Sequence, residues 1–191
     1  MSDNYLDRRT LVAQVLAERD GALVIPGLGA PTWDCFAAGG SDDYLYSWGG
    51  MGLAAMTALG VALAQPDRRV LCLTGDGEMM MGLGSLAVIG AQAPGNLSIL
   101  VLDNEHFGET GQQPGLAATT DLCQIAKGSG IANTLLVTAM EQVPDLAQML
   151  FHAPGPCLAV AKIALTDDPL LLPEKDGAMI ARTFRAAATG S

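Results

Sequence analysis

Apolar and polar positions alternate along this chain in patterns that predict helices and buried strands in turn. Residues 5–18 place apolar side chains among charged ones at the 3.6-residue spacing of an amphipathic helix. Short apolar runs bounded by turn residues predict buried strands at 22–25, 70–74 and 97–102. Further elements are predicted, in chain order, at 32–38 (helix), 44–46 (strand), 121–129 (helix), 134–138 (strand), 141–152 (helix), 157–164 (strand) and 175–187 (helix).

This regular alternation of helix and strand predicts the fold class. We expect an α/β fold with a doubly wound, mostly parallel sheet and helices on both faces. Half of the 191 residues are hydrophobic, which suffices for one buried core. We therefore predict a single domain over 1–191, in which 166–191 form a C-terminal extension with a terminal helix.

Two predicted helices have no polar face to turn towards water. Residues 48–64 carry no charge, at a length near the lower limit for crossing a bilayer. A helix of a globular domain is favoured instead by the glycines in this segment, by the polar Thr57 and by the polar residues 65–69 that end it. A second charge-free helix is predicted at 79–92. Other helices of the chain could cover both, but the methionines at 79–81 favour a subunit interface.

Charge and cysteine spacing exclude several classes of protein. Twenty acidic residues against ten basic ones give a net charge of -10, and no basic cluster is available to neutralise nucleic-acid phosphates. The N-terminal residues lack the apolar stretch of a secretory signal, so we expect a cytoplasmic protein. The cysteines are too widely spaced for zinc or iron–sulfur sites, and we expect reduced thiols at Cys35, Cys72, Cys123 and Cys157.

The strand that ends at Thr74 is followed by the turn Gly75-Asp76-Gly77 and then by a helix. In open α/β sheets, ligands bind at the carboxyl ends of strands, where helix N-termini offer N–H groups to phosphates. A carboxylate there would repel a diphosphate unless a divalent cation lay between them. Asp76 is therefore predicted to bind Mg²⁺. The alternative is a purely structural turn that the aspartate caps.

The next strand supplies further oxygen ligands. It ends at Asp103-Asn104, and the carboxyl ends of neighbouring parallel strands meet at one edge of a sheet. We therefore expect Asn104 to lie beside Asp76 and to bind the same ion. The backbone carbonyl of His106 is a third candidate metal ligand, with diphosphate and water oxygens completing an octahedron.

These two motifs, separated by residues 78–102, resemble the thiamine diphosphate-binding motif. Upstream, Trp48-Gly49-Gly50-Met51-Gly52 resembles the segment of that family that contacts the aminopyrimidine ring. The resemblance implies that Met51 wedges the cofactor into its bent shape, while the Gly49 carbonyl accepts a hydrogen bond from its amino group. The cofactor-binding residues it implies are Gly49, Gly50, Met51, Gly75, Asp76, Gly77, Glu78, Met79, Asn104, His106, Phe107 and Gly108.

Downstream, residues 104–113 are similar to the loop that follows the metal ligand in the sulfopyruvate and phosphonopyruvate decarboxylases. Three departures from the family pattern occur, and none removes a metal ligand. Asp103 stands where many relatives have a first asparagine, Glu78 where serine is common, and Glu109-Thr110 in place of a Ser-Thr-like pair. Glu109, Thr110 and His106 are candidate catalytic residues, and the alternative for each is a polar loop residue.

The resemblance implies the β-type, diphosphate-binding subunit of a heteromeric thiamine diphosphate- and Mg²⁺-dependent 2-oxo acid decarboxylase. The glutamate that activates the cofactor is then expected from a pyrimidine-binding partner subunit of similar size, in an α2β2 or larger assembly. An anionic substrate of the sulfopyruvate or phosphonopyruvate kind needs basic residues, which either Lys127 and Lys162 or the partner would supply.

Other functions remain open at this point. The cofactor is also compatible with a carboligase subunit similar to acetolactate synthase, and a homo-oligomeric enzyme is conceivable. A ferredoxin-linked oxidoreductase is disfavoured because the chain lacks closely spaced cysteines. A non-catalytic, flavodoxin-like nucleotide- or metal-binding domain is the alternative from a different class.

Overall fold

A computed structural model of the chain describes residues 5–190. The strands are β1 (Leu23–Pro26), β2 (Val70–Gly75), β3 (Leu97–Asp103), β4 (His106–Phe107), β5 (Gln113–Pro114), β6 (Asn133–Val137) and β7 (Cys157–Lys162). The α-helices are α1 (Arg8–Ala17), α2 (Ala30–Ala37), α3 (Ala54–Ala64), α4 (Asp76–Met81), α5 (Ser85–Gln92), α6 (Leu122–Gly128), α7 (Val143–His152) and α8 (Gly177–Thr189). Short 3-10 helices span Ala117–Thr119 and Met140–Gln142.

Five of the strands form one parallel sheet in the order β1-β2-β3-β7-β6. Its central strands are mostly apolar because both faces of the sheet are covered. Leu71 and Leu73 of β2 pack under α1, α2 and α7, whereas Val70 and Cys72 pack under α3, α5, α6 and α8. The predicted α/β fold, with a parallel sheet and helices on both faces, is confirmed.

The single helix predicted at 79–92 is wrong, because the chain forms two helices there. α4 already begins at Asp76, and the chain leaves the helical path at Gly82 before α5 starts. A Cβ at Gly82 would overlap the carbonyl group of Gly52, so the two backbones approach more closely than any other residue allows. This close approach is a tertiary contact, which the local sequence pattern does not reveal.

The charge-free segment 48–64 is helical only from Ala54 onwards. Gly49 and Gly52 adopt positive φ angles of 73° and 84°, which interrupt a right-handed helix and form turns instead. No helix within the described residues 5–190 has the length and apolar character needed to cross a membrane. The strand predicted at 44–46 is reduced to an isolated bridge between Tyr44 and Val24.

Two further features lie at the carboxyl edge of the sheet, where the functional candidates are expected. β4 and β5 pair as a small antiparallel hairpin, in a segment for which we predicted no strands. The chain between β7 and α8 crosses the same edge without regular structure. It is bound to α1 through Arg8 and Asp168, which lie 3.2 Å apart, and to Trp48, whose Nε1 donates to the Glu174 carbonyl at 2.7 Å.

Candidate functional site

A cavity of about 560 Å³ opens at the carboxyl edge of β2 and β3. Its walls come from the turn after β2, the β4–β5 hairpin, the start of α2 and the segment after β7. It brings together most of the predicted site residues, namely Met51, Gly75, Asp76, Gly77, Glu78, Asn104, His106, Phe107, Gly108, Glu109 and Thr110. Gly49 and Gly50 do not line this cavity, and Met79 is buried in the core beneath α4.

The register of the sheet explains why Asp76 and Asn104 share this cavity. Gly75 at the end of β2 is paired with Leu102 of β3, so the residues that follow each strand emerge at the same level. α4 begins directly at Asp76, which places the free N–H groups of its first turn at the cavity. The prediction that these two strand ends converge is therefore met by the geometry.

Gly77 allows two bulky side chains to approach the turn. A Cβ at this position would lie 3.1 Å from the ring of Phe107 and 3.7 Å from the methyl carbon of Met51. Met51 is thus placed against the turn, with 37% of its surface exposed. An apolar side chain at this point can contact a ligand whose phosphate groups lie on α4.

Asp76 forms no ion pair with the described residues that surround this cavity. Only 4% of the surface of Asp76 is exposed to solvent. Burial, and then the neighbouring charge of Asp103, raises the pKa of Asp76 to about 6, although the N–H groups of Gly77 and Asp76 and the charge of Lys162 act in the opposite direction. A cation placed here would offset this surplus of negative charge.

The side chain of Glu78 has a structural role that the sequence did not reveal. Its carboxylate accepts hydrogen bonds from the Thr74 hydroxyl at 2.8 Å and the Ala54 N–H at 3.4 Å, and also from the backbone of Gly52 and Leu28. Burial raises the pKa of Glu78 above its usual value. The carboxylate therefore joins the turn after β1 and the start of α3 to the turn after β2.

The candidate catalytic residues lie on the β4–β5 hairpin. The His106 N–H donates to Asn104 Oδ1 at 2.9 Å, and the imidazole Nδ1 lies 2.8 Å from the Asn104 carbonyl oxygen. Glu109 and Thr110 occupy the exposed tip of the hairpin. The Glu109 carboxylate lies where a Cβ of Gly29 would be, so the tip reaches the start of α2.

The cations of the chain are distributed differently from our expectation. Lys127 and Lys162 line a second cavity beside β6 and β7 instead of the one that contains Asp76. Among the described residues that line the Asp76 cavity, Arg8 is the only lysine or arginine. It is buried and bound to Asp34 and Asp168. Nothing in the local sequence around Arg8 indicates this position, because it depends on how α1 packs.

Trp33 is a second cavity residue that the sequence did not indicate. Its indole Nε1 is buried, and the part of the chain that the structure describes supplies no hydrogen-bond partner for it. A buried donor without a partner is costly, and it can be satisfied by a ligand that carries acceptor atoms.

Within residues 5–190, no group of three or more His, Cys, Asp or Glu side chains is arranged to hold a metal.

Residues 34–161 match the family described as thiamine pyrophosphate enzyme, C-terminal TPP binding domain, and the chain belongs to this family. It is 37% identical over 185 residues to a phosphonopyruvate decarboxylase of Streptomyces viridochromogenes, a match that covers 95% of this chain and 46% of the relative. It is 38% identical over 125 residues to the sulfopyruvate decarboxylase subunit beta of Methanothermobacter thermautotrophicus, a match that covers 65% of this chain and 67% of the relative.

The chain thus spans about half the length of the first relative and about two thirds of the second. An X-ray structure from Mycobacterium smegmatis, described as a candidate thiamin diphosphate-dependent enzyme, superposes with a TM-score of 0.73 at 18% identity. This superposition covers 86% of our chain and 33% of the other, and it supports the fold alone. The resemblance inferred from the two motifs is confirmed.

We predict that Asp76→Asn stabilises the cofactor-free chain at pH 7. The pKa of Asp76 in the folded chain, about 6, lies above its usual value of 3.8, so the charged form disfavours folding by up to about 3 kcal/mol. Because the folded state binds this proton more tightly, the penalty diminishes as the pH falls from 6 towards 3.8. Urea unfolding should show a gap between variant and wild type that roughly halves at pH 5. A gap independent of pH would contradict this assignment.

We also predict that Glu78→Ala lowers the free energy of unfolding by about 3 kcal/mol or more, because it leaves several buried N–H groups without an acceptor. Glu78→Gln keeps one acceptor oxygen and should cost less. The control is Glu141→Ala, which removes an exposed carboxylate and should change stability by less than about 0.5 kcal/mol. Equal urea midpoints for Glu78→Ala and Glu141→Ala would show that Glu78 does not join the three segments.

Proposed function

We propose that this chain is the diphosphate-binding subunit of a thiamine diphosphate- and Mg²⁺-dependent 2-oxo acid decarboxylase. The observation that carries the proposal is the buried carboxylate of Asp76, which forms no ion pair with the described residues, in the cavity that it shares with Asn104, Met51 and Phe107. Relatives named phosphonopyruvate decarboxylase and sulfopyruvate decarboxylase subunit beta support this class of reaction. In this proposal 1–191 form one domain, with 166–191 as its extension.

The oxygen atoms at this edge suit Mg²⁺. Asp76 offers a carboxylate, Asn104 an amide oxygen and His106 a backbone carbonyl, and Mg²⁺ prefers hard oxygen ligands of this kind. Asn104 Oδ1 accepts one N–H from His106, and a carbonyl oxygen has a second lone pair for a cation. Because Mg²⁺ commonly keeps waters and binds phosphate oxygens, a few protein ligands suffice. The raised pKa of Asp76 is what an anionic site without its cation should show.

The remaining walls suit the organic part of the cofactor. The first turn of α4 offers free N–H groups to a diphosphate, and the Trp33 Nε1 donor lacks a partner in the described part of the chain. Met51 projects towards the same turn, in agreement with its proposed role as the wedge beneath the bent cofactor. When bound, thiamine diphosphate supplies the carbanion and the electron sink for loss of carbon dioxide.

The residues of this chain are proposed to bind the metal ion and to line the place where the substrate binds. Asp76 and Asn104 bind the metal ion, and His106, Glu109 and Thr110 line the side of the cavity where a substrate would meet the cofactor. Arg8, the described lysine or arginine at this cavity, is bound to Asp34 and Asp168, so the cations for an anionic substrate group are proposed to come from a partner subunit. The activating glutamate is proposed to come from a pyrimidine-binding partner, in an α2β2 or larger assembly.

Calorimetric titration of thiamine diphosphate with Mg²⁺ tests this proposal. The titration is made into the chain alone and into its mixture with a pyrimidine-binding partner polypeptide, while release of carbon dioxide from sulfopyruvate and phosphonopyruvate is followed. We expect Mg²⁺-dependent binding and carbon dioxide release in the mixture. Asp76→Ala should weaken binding at least about 100-fold by removing the charged ligand, whereas Glu141→Ala should leave it unchanged.

The outcomes of this titration separate the alternatives. No binding by the chain or by the mixture would overturn the thiamine diphosphate proposal. Cofactor binding with formation of an acetolactate-type product would favour the carboligase alternative. Full activity of the chain alone would exclude the proposal that a partner subunit supplies the activating glutamate. Membership of the thiamine pyrophosphate family already argues against a flavodoxin-like, non-catalytic domain.

Exposed apolar side chains of the charge-free segments give a candidate surface for the partner. They lie on or beside α3, α4 and α5, at Leu53, Met56, Leu63, Met81 and Val88. Met81 is 68% exposed, so burying it would remove a large apolar side chain from water. This agrees with the subunit interface expected from the charge-free helices.

Met81→Asp should therefore abolish co-purification with the partner while leaving the unfolding midpoint of the isolated chain nearly unchanged. The matched control is Met179→Asp on α8, where the methionine is 44% exposed outside this surface. Pull-down with the tagged partner measures both. Equal retention of the two variants would show that this surface is not the interface.

A further inference from the structure

Lys162 connects the ends of two neighbouring strands at the edge that carries the candidate metal ligands. Asp103 of β3 and Lys162 of β7 are partners in the parallel register. The Lys162 ammonium lies 2.7 Å from Asp103 Oδ2 and 2.7 Å from Glu105 Oε1. We call these three side chains the β3–β7 bridge. The Asp103 side chain is 3% exposed and that of Lys162 18% exposed, so solvent screens their attraction only weakly.

Asn104 lies along the chain between Asp103 and Glu105, the two acidic residues of the β3–β7 bridge. Asp103 Oδ1 accepts the Glu105 N–H at 3.0 Å, and the Asp103 carbonyl accepts the Ile163 N–H at 3.0 Å. Glu105 has a positive φ of 62°, a conformation that costs free energy for a residue other than glycine. Its carbonyl accepts the Gly115 N–H at 2.6 Å. The turn that carries Asn104 is thus a strained segment whose flanking residues are both bound to Lys162.

The charge of Asp103 makes such a counter-ion necessary. Asp103 is only 2% exposed, and a buried carboxylate without a partner is strongly destabilising. Lys162 supplies the compensating charge from the adjacent strand. Its ammonium is occupied by two carboxylates and does not line the Asp76 cavity, which argues against a direct contact with substrate.

We propose that Lys162 is a positioning residue for Asn104. By neutralising Asp103 and binding Glu105, it holds the turn at residues 103–106 in the conformation that presents Asn104 Oδ1 at the cavity shared with Asp76. The inference rests on the proposed function for the metal role of Asn104, whereas the ordering of the turn is independent of any cofactor.

Two readouts test this role. The first is hydrogen exchange of the peptides that cover 103–115 in the cofactor-free chain, which reports the order of the turn. The second is the Mg²⁺-dependent affinity for thiamine diphosphate, measured by calorimetry with the partner present. Lys162→Met should accelerate exchange in 103–115 at least tenfold without affecting the centre of β3, and should weaken cofactor binding at least tenfold.

A rescue distinguishes positioning from a loss of packing. Asp103→Asn removes the buried charge that requires compensation, so the double variant Asp103→Asn/Lys162→Met should exchange more slowly and bind the cofactor more tightly than Lys162→Met, and the defect that remains relative to Asp103→Asn reports the lost Glu105 contact. Lys162→Arg keeps the charge and should resemble the wild type. Arg182→Met removes an exposed cation from α8 and controls for an effect of net charge.

Each outcome decides the inference. Unchanged exchange in Lys162→Met, or a double variant as impaired as the single one, would overturn it. If Lys162→Met does not fold, recovery of folding in the double variant supports the compensation of Asp103, and failure of both contradicts it. If the wild-type mixture binds no cofactor, the proposed function fails, while the exchange of 103–115 still decides whether Lys162 positions the turn.

Discussion

Buried negative charge at the carboxyl edge of β2 and β3 is the constraint on which the site depends. Asp76 is 4% exposed and lies close enough to Asp103 for the two charges to repel each other. The parallel register brings the two strand ends to the same level, so the repulsion is built into the sheet. Asp103 has Lys162 as its counter-ion, whereas within residues 5–190 no lysine or arginine forms an ion pair with Asp76. The arrangement costs stability, and the proposed divalent cation would offset this cost.

The packing of the sheet provides the stability that offsets the cost of this buried negative charge. Apolar side chains fill both faces, and the buried strands fix where the turns begin. Glu78 then joins the turn after β2 to Gly52 and Ala54 at the start of α3, so the segment that carries Met51 is placed relative to Asp76. The same side chain therefore stabilises the fold and shapes the cavity.

The sequence predicted those parts of the site that depend on strands alone. The apolar runs located β2 and β3, and because parallel strands end at a common edge, Asp76 and Asn104 could be placed together. What the sequence did not predict depends on contacts between distant segments. The break at Gly82 arises from its approach to Gly52, and the direction of the Glu78 carboxylate depends on donors in other turns. Arg8 reaches the cavity only through the packing of α1.

A crystal structure of the chain with its partner, thiamine diphosphate and Mn²⁺ in place of Mg²⁺ tests the central claim most directly. Anomalous scattering locates the cation without reference to the geometry of the site. The account predicts one Mn²⁺ at about 2.1 Å from both Asp76 and Asn104 side-chain oxygens, with diphosphate oxygens completing the octahedron. A cation bound at Asp103 and Glu105 instead, or a diphosphate bound on α4 without any cation, would contradict it.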